Sequence, residues 1–96
     1  MAGRGPHRNR RDANEPQIFA ILRAHGIQVH SIDRPCDAIC GYKGQTFLVE
    51  VKDGPKAKLT TTQQPFHDSW TGGIVILDSE DAATSWAQQI RGLRRT

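Results

Sequence analysis

The sequence predicts a small α/β domain, on three observations. Apolar residues recur at helical spacing near both ends of the chain, β-branched and aromatic runs of strand length lie between them, and Gly- or Pro-containing turns separate the segments. At 96 residues the chain has room for one core. No apolar stretch nears the ~18–20 residues of a membrane span, and the arginine-rich start leads into no apolar run of the kind that directs secretion. The expectation is a soluble, unsecreted protein.

The elements follow in order. Residues 1–12 combine Gly, Pro and Arg without periodicity and read as a flexible basic arm, followed by a domain over 13–92 and a basic tail over 93–96. Asp12 or Asn14 is placed to cap a first helix with Pro16 in its first turn. Ile18, Ile21 and Leu22 share one face of that helix, and Gly26 ends it. Residues 27–32 alternate with period two, as a half-buried strand does, and Asp33-Arg34-Pro35 breaks them.

A second strand over 36–41 and a third over 45–52 flank Tyr42-Lys43-Gly44, which reads as a hairpin. Phe47, Val49 and Val51 suit a central strand, which Asp53-Gly54-Pro55 stops. A loop carrying Lys56 and Lys58 leads to Thr60 or Thr61, either of which caps a helix reaching about Trp70. Gly72-Gly73 precedes a short apolar strand over 74–77. A last helix begins at Ser79, with Glu80 and Asp81 where the helix dipole favours them and Ala83, Trp86 and Ile90 at helical spacing. The expected order is α-β-β-β-α-β-α, with Trp70 and Trp86 packing helices against the sheet.

Charge is segregated. Four arginines against Asp12 give +3 over 1–12, Arg91, Arg94 and Arg95 give +3 at the other end, and the intervening 13–90 carries −3. Basic ends suit a polyanion, and an acidic body that still binds one needs a local reason such as bound divalent cations. The plainer alternative is that the tails serve solubility.

The hairpin carries the chemical argument. A two-residue Lys43-Gly44 turn pairs residue i with 87 − i, so Asp37 lies across from Glu50, with Lys52 on the same face and Val49 and Val51 on the other beside Cys36, Ala38 and Cys40. A three-residue turn with a glycine bulge instead moves Asp37 off that face, and a four-residue loop restores it. In the first register two carboxylates face one another at short range, which a bridging cation relieves. Asp37, Glu50 and Lys52 then supply what metal-assisted phosphodiester hydrolysis requires: hard oxygen ligands for Mg²⁺ or Mn²⁺, and an ammonium to orient the attacking water or offset the phosphorane charge. Cys36 and Cys40 lack a second Cys or His pair for zinc and read as reduced core thiols. The four histidines are scattered, and His67, one helical turn past Gln63, is either near the site or a plain helix residue, the second being the favoured reading.

Asp37 followed by Glu50-Val51-Lys52 within α-β-β-β-α-β resembles the PD-(D/E)XK nuclease superfamily, across residues 13–78. It is closest to small stand-alone VRR-NUC nucleases and Holliday-junction resolvases, many of them phage-encoded. Glu15 in the first helix, Leu59-Thr60-Thr61-Thr62-Gln63 before the next, and Phe66-His67-Asp68-Ser69-Trp70 at its end add to the likeness. Pro35 stands two positions before Asp37 rather than adjacent, a departure that touches only the local turn.

The resemblance implies a restriction-endonuclease-like fold and a Mg²⁺- or Mn²⁺-dependent endonuclease cleaving DNA, with branched or junction DNA as the expected target. Asp37 and Glu50 would bind the metal with help from the Val51 carbonyl, Lys52 would be catalytic and Gln63 supporting. Gln64 could replace Gln63, and Glu15 would be either a further ligand or a carboxylate serving the helix dipole. Arg8, Arg10, Arg11, Lys56, Lys58, Arg94 and Arg95 are the expected phosphate contacts. A homodimer in the cytoplasm of a bacterial or phage-infected cell is expected. Rival readings are a non-catalytic nucleic-acid-binding accessory protein and an interaction module on a decayed nuclease fold.

Overall fold

The computed structural model describes residues 13–92. The elements are α1 (Glu15–Ala24), β1 (Gln28–Ser31), β2 (Ala38–Tyr42), β3 (Gln45–Val51), α2 (Gln63–Ser69), β4 (Ile74–Leu77) and α3 (Glu80–Gly92). Their order is the expected one, in a four-stranded mixed sheet arranged β1-β2-β3-β4. The first three strands form an antiparallel meander, and β4 runs parallel to β3 after a crossover that contains α2. Among the described residues no helix is long and apolar enough to cross a membrane.

Alternation along the strands gives the sheet two unlike faces. Val49, Val51, Ala38, Cys40 and Leu77 point to one side and join Ile18, Phe19 and Leu22 of α1 and Ala83, Ala87 and Ile90 of α3 in a single core. Ala83 and Ala87, one turn apart and both fully buried, let α3 approach the sheet and α1 closely. Trp86 lies at the margin of this stripe, edge-on to Phe47 with ring centroids 5.4 Å apart, so the expected packing role holds for it. It does not hold for Trp70. That ring is 42% exposed, stacks on Phe66 at 5.2 Å and donates its indole N–H to the Gly73 carbonyl at 3.3 Å.

The helix ends depart from expectation in one respect. Asn14 precedes α1, but its side chain makes no cap; it donates instead to the carbonyls of Lys52 (3.0 Å) and Asp78 (3.4 Å), tying the start of α1 to the far ends of β3 and β4. Gly26 ends α1 in the left-handed region at φ 83°, its N–H donating to the Arg23 carbonyl. Ser79 caps α3 as expected, its hydroxyl accepting the Ala82 N–H at 3.0 Å. Three strands are shorter than expected: β1 is a mostly exposed edge strand, β2 starts at Ala38 because the chain bends through residues 34–37, and β3 stops at Val51.

The hairpin settles the register. Lys43 and Gly44 take φ 48° and 85°, the two positive angles of a type I′ turn, and Tyr42 faces Gln45, Ile39 faces Leu48 and Ala38 faces Val49. Each pair obeys the two-residue rule, and one more step sets position 37 against position 50.

Cys36 and Cys40 are both free and buried; Cys40 joins the apolar core as expected, whereas Cys36 lies outside that cluster. Burial raises both thiols, and at Cys40 desolvation, followed by the neighbouring Cys36, pushes the value from 9.0 up to about 12.

Replacing Gly44 with Ala is expected to cost about 1–2 kcal/mol by forcing a Cβ into the left-handed region, lowering the thermal midpoint by about 4–8 °C per kcal/mol. Lys43→Asn, better suited to that region, should raise it. The unfolded Cys40 thiol ionises first, so the contribution of this group to stability is constant below pH 9 and falls as pH rises from 9.0 toward about 12. Urea midpoints across that window should decline less steeply for Cys40→Ala than for the natural chain.

Candidate active site

The alternation that sends Val49 and Val51 into the core turns Glu50 and Lys52 to the opposite face, toward α2. Both are nonetheless enclosed, Glu50 at 1% exposure and Lys52 at 8%. Charged side chains are almost never so buried unless they are paired and hydrogen-bonded.

Gln63 supplies much of that pairing. Its side-chain Oε1 accepts from the Lys52 ammonium at 2.8 Å, and its Nε2 donates to Glu50 Oε2 at 2.9 Å. The amide thus presents its negative end to the cation and its positive end to the carboxylate, while Lys52 Nζ lies 3.9 Å from Glu50 Oε2. Gln63 is held by Thr60. The Thr60 N–H donates to Oε1 at 2.9 Å and the Gln63 N–H donates to Thr60 Oγ1 at 3.1 Å, the reciprocal bonds of a capping box. Thr60 is therefore the functional cap, as expected, although α2 itself begins only at Gln63. Gln64 points elsewhere and donates to Asp68 Oδ1, which resolves the choice between the neighbouring glutamines.

Asp37 sits where β2 and β3 stop pairing. Its N–H donates to the Val49 carbonyl at 3.1 Å, and its carboxylate Oδ2 accepts the Val51 N–H at 2.8 Å. Amides of β3 at alternate positions point toward β2, and beyond Ala38 no strand backbone meets the Val51 amide. The Asp37 carboxylate takes that place, fixing it beside Glu50. Both acids border a cavity of about 390 Å³ walled in part by Arg34, Pro35, Thr62 and Phe66. A larger hollow of about 600 Å³ along β1 has no carboxylate in its lining.

For His67 the structure takes the less favoured of the two readings. The residue lies one turn past Gln63 on the same face of α2, with its side chain 8% exposed and Nε2 3.9 Å from Glu50 Oε1. Burial, then the Lys52 charge, lowers its pKa, while Asp68 opposes the shift. The spacing of four from Gln63 was visible in the sequence, but which face of α2 meets the sheet was not.

The remaining candidates disperse. Glu15 is buried at the start of α1, the end that Asn14 ties to the Lys52 carbonyl. Among the described residues no three His, Cys, Asp or Glu groups converge to hold a metal, so Glu15 does not complete a triad with Asp37 and Glu50. Lys56 and Lys58 are exposed on the loop after β3. Arg8, Arg10, Arg11, Arg94 and Arg95, with the expected basic arm and tail, lie outside the described residues.

Comparison with known proteins returned no matching family profile, no matching curated protein and no matching solved structure.

Asp37→Ala is expected to strand the Val51 amide and cost about 1–3 kcal/mol in urea denaturation. Asp37→Asn keeps an acceptor oxygen and should retain most of that stability.

Proposed function

We propose that this chain is a Mg²⁺- or Mn²⁺-dependent endonuclease acting on DNA, on a restriction-endonuclease-like fold of the PD-(D/E)XK type related to VRR-NUC nucleases and junction resolvases. The observation that carries the reading is the Gln63 amide spanning Glu50 and Lys52 beside Asp37. A buried acid–amide–ammonium arrangement on the face opposite the core adds nothing to core packing, and its neutral replacement would be easier to bury.

The donor set fits a hard dication. Such ions take one or two protein carboxylates together with water and substrate phosphate, which is what Asp37 and Glu50 offer, with the Val51 carbonyl as a further oxygen. When bound, the ion supplies Lewis-acid polarisation of a phosphoryl oxygen and acidifies a water. The protein's own groups do the rest. Lys52, oriented by Gln63 Oε1, directs its remaining N–H donors toward a phosphate and offsets the negative charge that develops there. Glu50 is kept in one orientation by Gln63 Nε2, and Asp37 by the Val51 amide. Lys56, Lys58 and the terminal arginines contact flanking phosphates. So small a domain offers little surface to wrap a duplex, which favours a homodimer on a branched substrate.

Linear, nicked, flapped and four-way DNA incubated with the protein should be cleaved with Mg²⁺ or Mn²⁺ and not with chelator. Lys52→Ala and Glu50→Ala should each lose about 10²–10³-fold in rate while DNA binding through the basic segments persists. Binding without cleavage of any substrate under either metal would instead favour a non-catalytic accessory protein.

A further inference from the structure

The imidazole of His67 has no role in the network described above. Its Nε2 is buried and has no hydrogen-bond partner among the described residues, on a side chain only 8% exposed. Buried polar nitrogens in folded proteins are nearly always hydrogen-bonded, so an orphan of this kind calls for a partner outside the chain, an ordered water or a bound ion. The atom is aimed at Glu50 Oε1 across 3.9 Å. That gap is too wide for a hydrogen bond, but it falls within the reach of a dication bonded to both atoms at about 2.0–2.2 Å each.

The position of the imidazole is enforced. The Thr60–Gln63 capping box and the bonds of Gln63 to Glu50 and Lys52 fix the first turn of α2 against β3, and His67 follows one turn later on the same face. We propose that His67 is a cation ligand beside Glu50, so that the site selects a transition-metal dication, Mn²⁺ over Mg²⁺. The proposal rests on the reading of Asp37 and Glu50 as cation ligands. It pairs a nitrogen donor with the Glu50 oxygen, and this changes the preferred ion. Mg²⁺ favours all-oxygen shells and parts reluctantly with water, whereas imidazole is a good ligand for first-row transition metals.

The test is made on the full chain. Mn²⁺ and Mg²⁺ are titrated calorimetrically into the natural protein, His67→Ala, His67→Gln and Glu50→Ala, with circular dichroism recording the fold of each. Pulsed electron paramagnetic resonance of the Mn²⁺-loaded natural protein then reads directly for imidazole nitrogen. The natural chain should bind Mn²⁺ about tenfold or more tighter than Mg²⁺ and show nitrogen modulation. Both His67 variants should lose the modulation and most of the Mn²⁺ preference while keeping Mg²⁺ affinity within about twofold.

A Mn²⁺ spectrum of the natural chain without nitrogen modulation overturns the proposal and needs no variant to do so. Unchanged Mn²⁺ affinity in a folded His67 variant also overturns it. If Mg²⁺-supported DNA cleavage persists in either case, the nuclease reading stands and only the role of His67 falls. Absence of binding by either metal, together with absence of cleavage, removes both.

Discussion

Two glycine-like backbone angles at Lys43 and Gly44 constrain much of what this domain places on its open face. They close β2 and β3 with a two-residue turn, and that turn sets every pair of the hairpin. A strand has a side-chain period of two, so slipping one residue would exchange the faces of one strand relative to the other. Asp37 would then leave Glu50, and the apolar set of β2 would leave the core in the same step. Stability and site geometry are therefore fixed by one register, and selection on either maintains both.

The sheet is packed unequally. One face carries α1, α3 and the continuous apolar core, while among the described residues the other carries only α2, a helix none of whose residues is as enclosed as Ile18 or Leu77. Glu50 and Lys52 are thus buried by a thin cover rather than by a core. Their desolvation is offset by hydrogen bonds from a single glutamine, and that glutamine is itself held by the turn that starts the covering helix. The arrangement joins local helix capping to the electrostatics of a distant strand. It also leaves the opposite side of the Asp37 and Glu50 pair open to a cavity large enough for a phosphate and its ion.

Asn14 provides the corresponding link on the packed side. By bonding the carbonyls of Lys52 and Asp78, it fastens α1 to the ends of β3 and β4. The end of β3 that carries Lys52 is consequently held from both faces, by Gln63 on one and Asn14 on the other. Local signals could suggest a cap at Asn14 because Asn is a good cap. The tertiary structure uses the same amide for a longer-range bond, since strand ends with unmet carbonyls lie within its reach.

Local chemistry in the sequence determined the element order, the face each strand residue takes and the residues near β3 that carry charge. Period-two and period-3.6 patterns are set by backbone geometry, and Thr60, Ser79 and Gly26 act within a turn of themselves. It left the register open among loops of two, three and four residues, because Lys-Gly is compatible with each. The remaining decisions needed the tertiary fold. Which side of α2 meets the sheet brings His67 to Glu50, chooses Gln63 over Gln64 and leaves Trp70 exposed. Those outcomes depend on how a short helix, with no apolar stripe of its own, is docked by side chains from another element, and periodicity within seven residues carries no record of that.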